Sequence, residues 1–127
     1  MDYKYSELTG NIIGAAMEVH SYIGSGYQEV IYQRALSFEL QLREIPHQRE
    51  VTMEILYKDK KVGTRRVDFL VYDKISVEIK AISQLDSIHM TQAINYLEIH
   101  NLEVGLLINF GEPKLKFHRL ENKKWTG

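Results

Sequence analysis

The chain has 127 residues, 44% hydrophobic and 26% charged, a balance that fits a single domain with a real core and excludes a disordered polymer. Its formal net charge of −1 supplies no global field for nucleic acid, so any such binding needs a local basic patch. The absence of cysteine excludes disulfides and thiolate metal sites, and no apolar run approaches the roughly 20 residues that a membrane helix needs. The N-terminus, MDYKYSELTG, is polar and mixed in charge, unlike a signal peptide. The expectation is a soluble, cytoplasmic protein folded as one domain over residues 1–127.

Residues 6–23 repeat apolar side chains at helical spacing through Ile12, Ile13, Ala16, Val19 and Ile23, and Gly24-Ser25-Gly26 stops the pattern. Ser25 and Gln28 form a capping-box pattern ahead of a second helix, VIYQRALSFELQL, which ends before Pro46. The period then changes to two: Val51, Met53, Ile55 and Tyr57 alternate with Thr52, Glu54 and Leu56, giving a strand. KDKKVG makes a turn, and two further strands occupy about 62–71 and 75–82. Helical spacing returns over residues 86–100, with Ile88, Ala93, Tyr96, Leu97 and Ile99 as apolar positions. EVGLLINF is a continuous apolar run, as expected for a strand covered on both faces, and KLKFHRL is the candidate for a last strand. The order helix, helix, three strands, helix, strand, strand describes an α/β or α+β domain with a mixed sheet.

The stretch RRVDFLVYDKISVEIKA places Asp68, Glu78 and Lys80 inside two otherwise apolar strands. Side chains alternate along a strand, so Val67, Phe69 and Val71 share one side and Arg66, Asp68 and Leu70 the other. If the turn is Tyr72-Asp73-Lys74, Val71 pairs with Ile75 and Asp68 falls across from Glu78. Facing carboxylates destabilise a sheet, and one of two close acids normally holds a proton. A divalent cation reverses that penalty, since Mg²⁺ is commonly held by one or two carboxylates plus waters. Lys80, two residues past Glu78, would then meet the site as a point charge that orients water or stabilises charge on a phosphate. The same spacing fits a second reading, in which Asp68 and Glu78 face solvent beside Arg66 and Lys80. A two-residue turn would set Asp68 opposite Val77 and weaken the metal reading.

Glu29 heads a stripe of Tyr32, Leu36 and Leu40 on the second helix, either as a charge on the helix dipole or as a further ligand. Gln92 and Tyr96, four residues apart, share a helix face, and His89 lies one turn earlier, either near a phosphate or as a lone surface histidine. His20, His47, His100 and His118 have no ligand spacing. The basic clusters are KDKK at 58–61, Arg65 with Arg66, and KLKFHRLENKK at 114–124.

GYQEVIY matches Gly-x-x-Glu-x-x-Tyr through Gly26, Glu29 and Tyr32, and with RRVDFLV, VEIKAI, HMTQAINYL and GLLINFG the chain resembles the GxxExxY family, a branch of the PD-(D/E)XK nuclease superfamily. The likeness runs over about residues 6–120 and implies a restriction-endonuclease-like core of helix, three strands, helix and strand. It also implies that Asp68 and Glu78 bind Mg²⁺ or Mn²⁺, that Glu29 adds a helical acid to the same site, and that Lys80 is catalytic. Gln92 and Tyr96 look like the Gln-x-x-x-Tyr motif that supports the site or contacts nucleic acid. Val67 stands where the superfamily name has proline, at a place that carries no ligand. The implied activity is hydrolysis of DNA, ahead of RNA; the alternative is a nuclease-fold module that binds nucleic acid or a protein without cutting. The oligomeric state stays open, a homodimer included.

Overall fold

The computed structural model describes residues 5–127; the first four residues of the polar N-terminal stretch lie outside the described residues. Helix α1 (Ser6–Ile23) and helix α2 (Glu29–Leu42) come first, followed by strands β1 (His47–Tyr57), β2 (Lys60–Val71) and β3 (Ile75–Lys80). Helix α3 (Ser87–His100), β4 (Val104–Asn109) and β5 (Lys116–Glu121) complete the chain. The five strands lie in sequence order across one sheet, antiparallel except for the parallel pair β3–β4 that α3 connects. Among the described residues no helix is long and apolar enough to cross a membrane.

The apolar periodicity of the helices decides the layers. Ile12, Ile13, Ala16 and Val19 of α1 and Tyr32, Leu36 and Leu40 of α2 pack on one sheet face, against Phe69, Val71, Val77, Ile79, Leu106 and Ile108. Ala93, Tyr96 and Leu97 of α3 cover the other face, against Val67, Leu70 and Leu107. All six β4 residues are buried, as its unbroken apolar run requires of a strand sandwiched between two helical layers.

Helix ends follow local chemistry. After α2, Glu44 takes a left-handed conformation (φ 58), and the Ile45 and Glu44 N–H groups bond back to the Leu40 and Gln41 carbonyls. That pairing is a Schellman stop built without glycine. Asn101 (φ 49) ends α3, with the Leu102 N–H returning to the Leu97 carbonyl. The expected Ser25–Gln28 capping box does not form: Gln28 itself is the N-cap of α2 and makes no side-chain cap bond. Gly24 (φ 77) and Gly26 (φ 107) turn the chain through conformations that move Ser25 out of capping position.

Two strand details differ from simple alternation. The β1–β2 turn is only Lys58-Asp59, both at positive φ, so β2 starts at Lys60. Val67 packs under α3 while Phe69 and Val71 pack under α1 and α2, so the three do not share a face. The break falls at Asp68 and at the residue facing it in β1, Glu50, whose φ of 55 interrupts the pairing between Arg49↔Phe69 and Val51↔Val67. A left-handed residue inside a strand turns the pleat over, and the faces exchange beyond it.

Candidate active site

The expected three-residue turn is present: Val71 pairs with Ile75, and the ladder continues through Leu70↔Ser76 to Phe69↔Val77. The next pair would be Asp68 with Glu78. There β2 and β3 part, and Asp68 Oδ2 accepts the Ile79 N–H at 2.6 Å. The carboxylate thus takes a backbone donor released by the fork. Asp68 Oδ1 accepts the Gln33 amide at 3.0 Å, and Gln33 Oε1 accepts Arg49 Nη2 at 2.6 Å. An arginine can only donate, so it fixes which end of the Gln33 amide faces Asp68. Asp68 is therefore addressed by N–H donors on both oxygens.

Glu78 is 8% exposed, and its Oε1 has no hydrogen-bond partner; Arg65 Nη2 stands 3.9 Å away while bonding the Gln92 carbonyl at 2.8 Å. Burial, then the Asp68 charge, pushes the Glu78 carboxyl up to about 7, against the pull of Arg65 and Lys80. Burial also raises Asp68, opposed by the Ile79 and Gln33 hydrogen bonds and by Lys80 and Arg66. Glu29, at the first position of α2, is raised by burial and by Asp68 and lowered by Lys80. As a whole residue Glu29 is exposed, so its share in this field is the mildest of the three. Lys80 is the cation that all three carboxyls feel.

The Gly26–Glu29–Tyr32 spacing has a structural reason. The Tyr32 ring is fully buried and stacks on Phe110 at 4.7 Å. Its hydroxyl donates to the Gly24 carbonyl at 2.5 Å and accepts the Tyr27 N–H at 3.3 Å. Tyr32 thus pins the glycine turn that launches Glu29. Tyr32→Phe is expected to cost about 1–2 kcal/mol in urea denaturation, since it deletes a buried hydrogen bond and keeps the ring.

The helix α3 residues are placed less directly. Tyr96 is fully buried, with its hydroxyl 3.4 Å from the Val51 carbonyl and 3.1 Å from His100 Nδ1. Burial and then the Glu78 charge push its hydroxyl up to about 12, which sets it within electrostatic range of Glu78. Gln92 meets the site through its backbone carbonyl, on Arg65. His89 Nδ1 accepts the Asp86 N–H at 2.9 Å in a capping box at the start of α3. The sequence reading missed Gln33 and Arg49. Gln33 stands one helical turn after Glu29, and a polar residue on an inward stripe was the available signal.

Among the described residues no three acidic or imidazole side chains are close enough to hold a metal ion by themselves. Two carboxylates suffice for Mg²⁺, which keeps several waters. The donor set fits such an ion: hard oxygens, one of them a buried carboxyl oxygen that accepts no hydrogen bond, with the neighbouring Asp68 charge opposing ionisation of Glu78.

Comparison with known proteins bears on the fold and the family. The crystal structure of SSO0001 is similar at a TM-score of 0.57 and 23% identity, over 72% of this chain and 48% of that one, so the chain spans about half its length. That likeness is one of fold. No curated protein matches the chain. The family model of the PD-(D/E)XK nuclease superfamily matches residues 6–120, which span both helical layers, the fork and its acids; the chain belongs to the PD-(D/E)XK nuclease superfamily.

Proposed function

We propose that the protein is a divalent-cation-dependent nuclease of the GxxExxY branch, cutting phosphodiester bonds in DNA ahead of RNA. The supporting observation is the fork itself: the charges of Asp68 and Glu29 raise the proton affinity of Glu78, Lys80 pulls on all three acids, and a buried Glu78 oxygen accepts no hydrogen bond, with Arg65 no nearer than 3.9 Å. A bound Mg²⁺ or Mn²⁺ supplies Lewis-acid activation of water and neutralises charge on the phosphate. Asp68 and Glu78 would hold the ion, and Glu29 would add its negative charge to the site from the helix start. Lys80 positions the attacking water or the phosphate oxygens through its ammonium. Tyr96 lies within the field of Glu78, Gln92 supports Arg65 through its carbonyl, and His89 would meet a phosphate from the start of α3. The exposed lysines 58, 60 and 61 at the tip of the β1–β2 hairpin supply a basic edge.

The test is incubation with single-stranded DNA, duplex DNA and RNA, with Mg²⁺ or Mn²⁺ and with a chelator. Cleavage that needs the ion is expected. Nucleic-acid binding without cleavage under either ion would assign a non-catalytic module instead, and neither binding nor cleavage would contradict the reading.

Gln33 should matter to ion affinity without touching the ion. Gln33→Leu is expected to weaken Mn²⁺ binding about 10–100-fold by calorimetry, as loss of an outer-shell partner typically does. Adding Arg49→Met in that background should then weaken it little further, because Arg49 acts through Gln33.

A further inference from the structure

A cleft of about 330 Å³ opens beside α2 and the start of β1, lined by Arg34, Ser37, Phe38, Gln41 and Arg49. Two guanidinium groups line it and no carboxylate does. Arg43, Arg65, Arg66 and Lys124 form side-chain ion pairs among the described residues, whereas neither Arg34 nor Arg49 is found in one. Arg49 commits Nη2 to Gln33, and a guanidinium carries further N–H donors beyond that one. Gln33 in turn bonds Asp68, so the cleft is joined to the candidate catalytic carboxylate through two hydrogen bonds. Phe38, on its rim, is 69% exposed.

We propose that this cleft is a nucleotide subsite for single-stranded nucleic acid, taking one backbone phosphate on Arg34 and Arg49 and the base of that nucleotide on Phe38. The inference rests on the nuclease reading of the Asp68–Glu78 fork and adds to it the strandedness of the substrate. Guanidinium forks match phosphate oxygens in a bidentate manner. An open aromatic ring accepts the face of any unpaired base, whereas bases in a duplex are already stacked on their neighbours. A cleft with cations and a ring but no acid therefore favours a strand whose bases are free. Arg49, through Gln33, joins this subsite to Asp68.

Fluorescence anisotropy with a labelled oligodeoxythymidylate, in chelator so that nothing is cut, tests the subsite across a salt series. Arg34→Ala is expected to weaken binding and to flatten the salt dependence by about 0.7 in log–log slope, the share of one phosphate contact on a single strand. Phe38→Ala is expected to weaken binding roughly tenfold without changing the slope, and Phe38→Trp to retain it. Wild-type binding that neither Arg34→Ala nor Phe38→Ala disturbs would overturn the subsite and leave the nuclease reading standing. Equal losses on a blunt duplex would overturn the single-strand assignment. Wild-type protein that binds no oligonucleotide at low salt would overturn both.

Discussion

Asp68→Ala is expected to reduce ion-dependent cleavage by more than about 100-fold, beyond what loss of a merely supporting partner costs. Asp68 stands at the point where β2 leaves β3, with Oδ2 on the Ile79 N–H and Oδ1 on the Gln33 amide. Each oxygen retains a second lone pair for an ion. The substitution removes that ligand and strands two buried donors, at about 1–3 kcal/mol of stability. The assay must therefore run well below the melting temperature, with circular dichroism as the control for folding. Asp68→Asn is no cleaner, because its amide nitrogen would face either the Gln33 amide or the Ile79 N–H, donor against donor. Lys80→Ala, whose ammonium every one of the three acids feels, should lower cleavage while leaving Mn²⁺ affinity intact or improved, since it removes a competing positive charge. A Lys80→Ala protein that cuts as fast as wild type would exclude the lysine from the chemistry.

The second large effect is on stability, and it depends on pH. The Glu78 carboxyl, ordinarily near 4.5, is pushed up to about 7 by burial and by Asp68. Between those values the folded chain holds a proton that the unfolded chain has released. Stability therefore falls as pH rises through that window and levels off above it. The gap is worth on the order of 3 kcal/mol. Asp68 and Glu29 are shifted in the same direction and add to the trend. Glu78→Gln keeps the shape of the neutral acid, so it should match wild type near pH 5 and exceed it by on the order of 2–3 kcal/mol near pH 8. Mg²⁺ should flatten the wild-type slope by binding the folded form, and it should do little for Glu78→Gln. A wild-type stability that rises across the same window in urea denaturation would contradict the assignment of the proton to Glu78.

Much of this was legible in the sequence. Helical periodicity located all three helices, and of the two turns the sequence left open, the three-residue one at 72–74 is present and sets the register as far as Phe69↔Val77. The end of the ladder at that point was not legible, because nothing in local composition announces that two strands will part. Nor was the exchange of faces at Val67, which depends on a glutamate, Glu50, adopting a conformation that glycine or asparagine usually occupies. The Ser25–Gln28 pattern misled for a related reason: two flanking glycines set the path of the backbone before any side chain could cap it. The Arg49–Gln33–Asp68 chain joins residues up to 35 positions apart, and only the packing of α2 over the sheet brings them together.

The account rests on Asp68 and Glu78 sharing one divalent ion. Calorimetric titration of Mn²⁺ into the wild-type protein near pH 8, where Glu78 has given up its proton, tests this most directly. One saturable site is predicted, weakened near pH 6 and lost in Asp68→Ala and in Glu78→Gln. A wild-type protein that takes up no Mn²⁺, or binding that survives both substitutions, would contradict it.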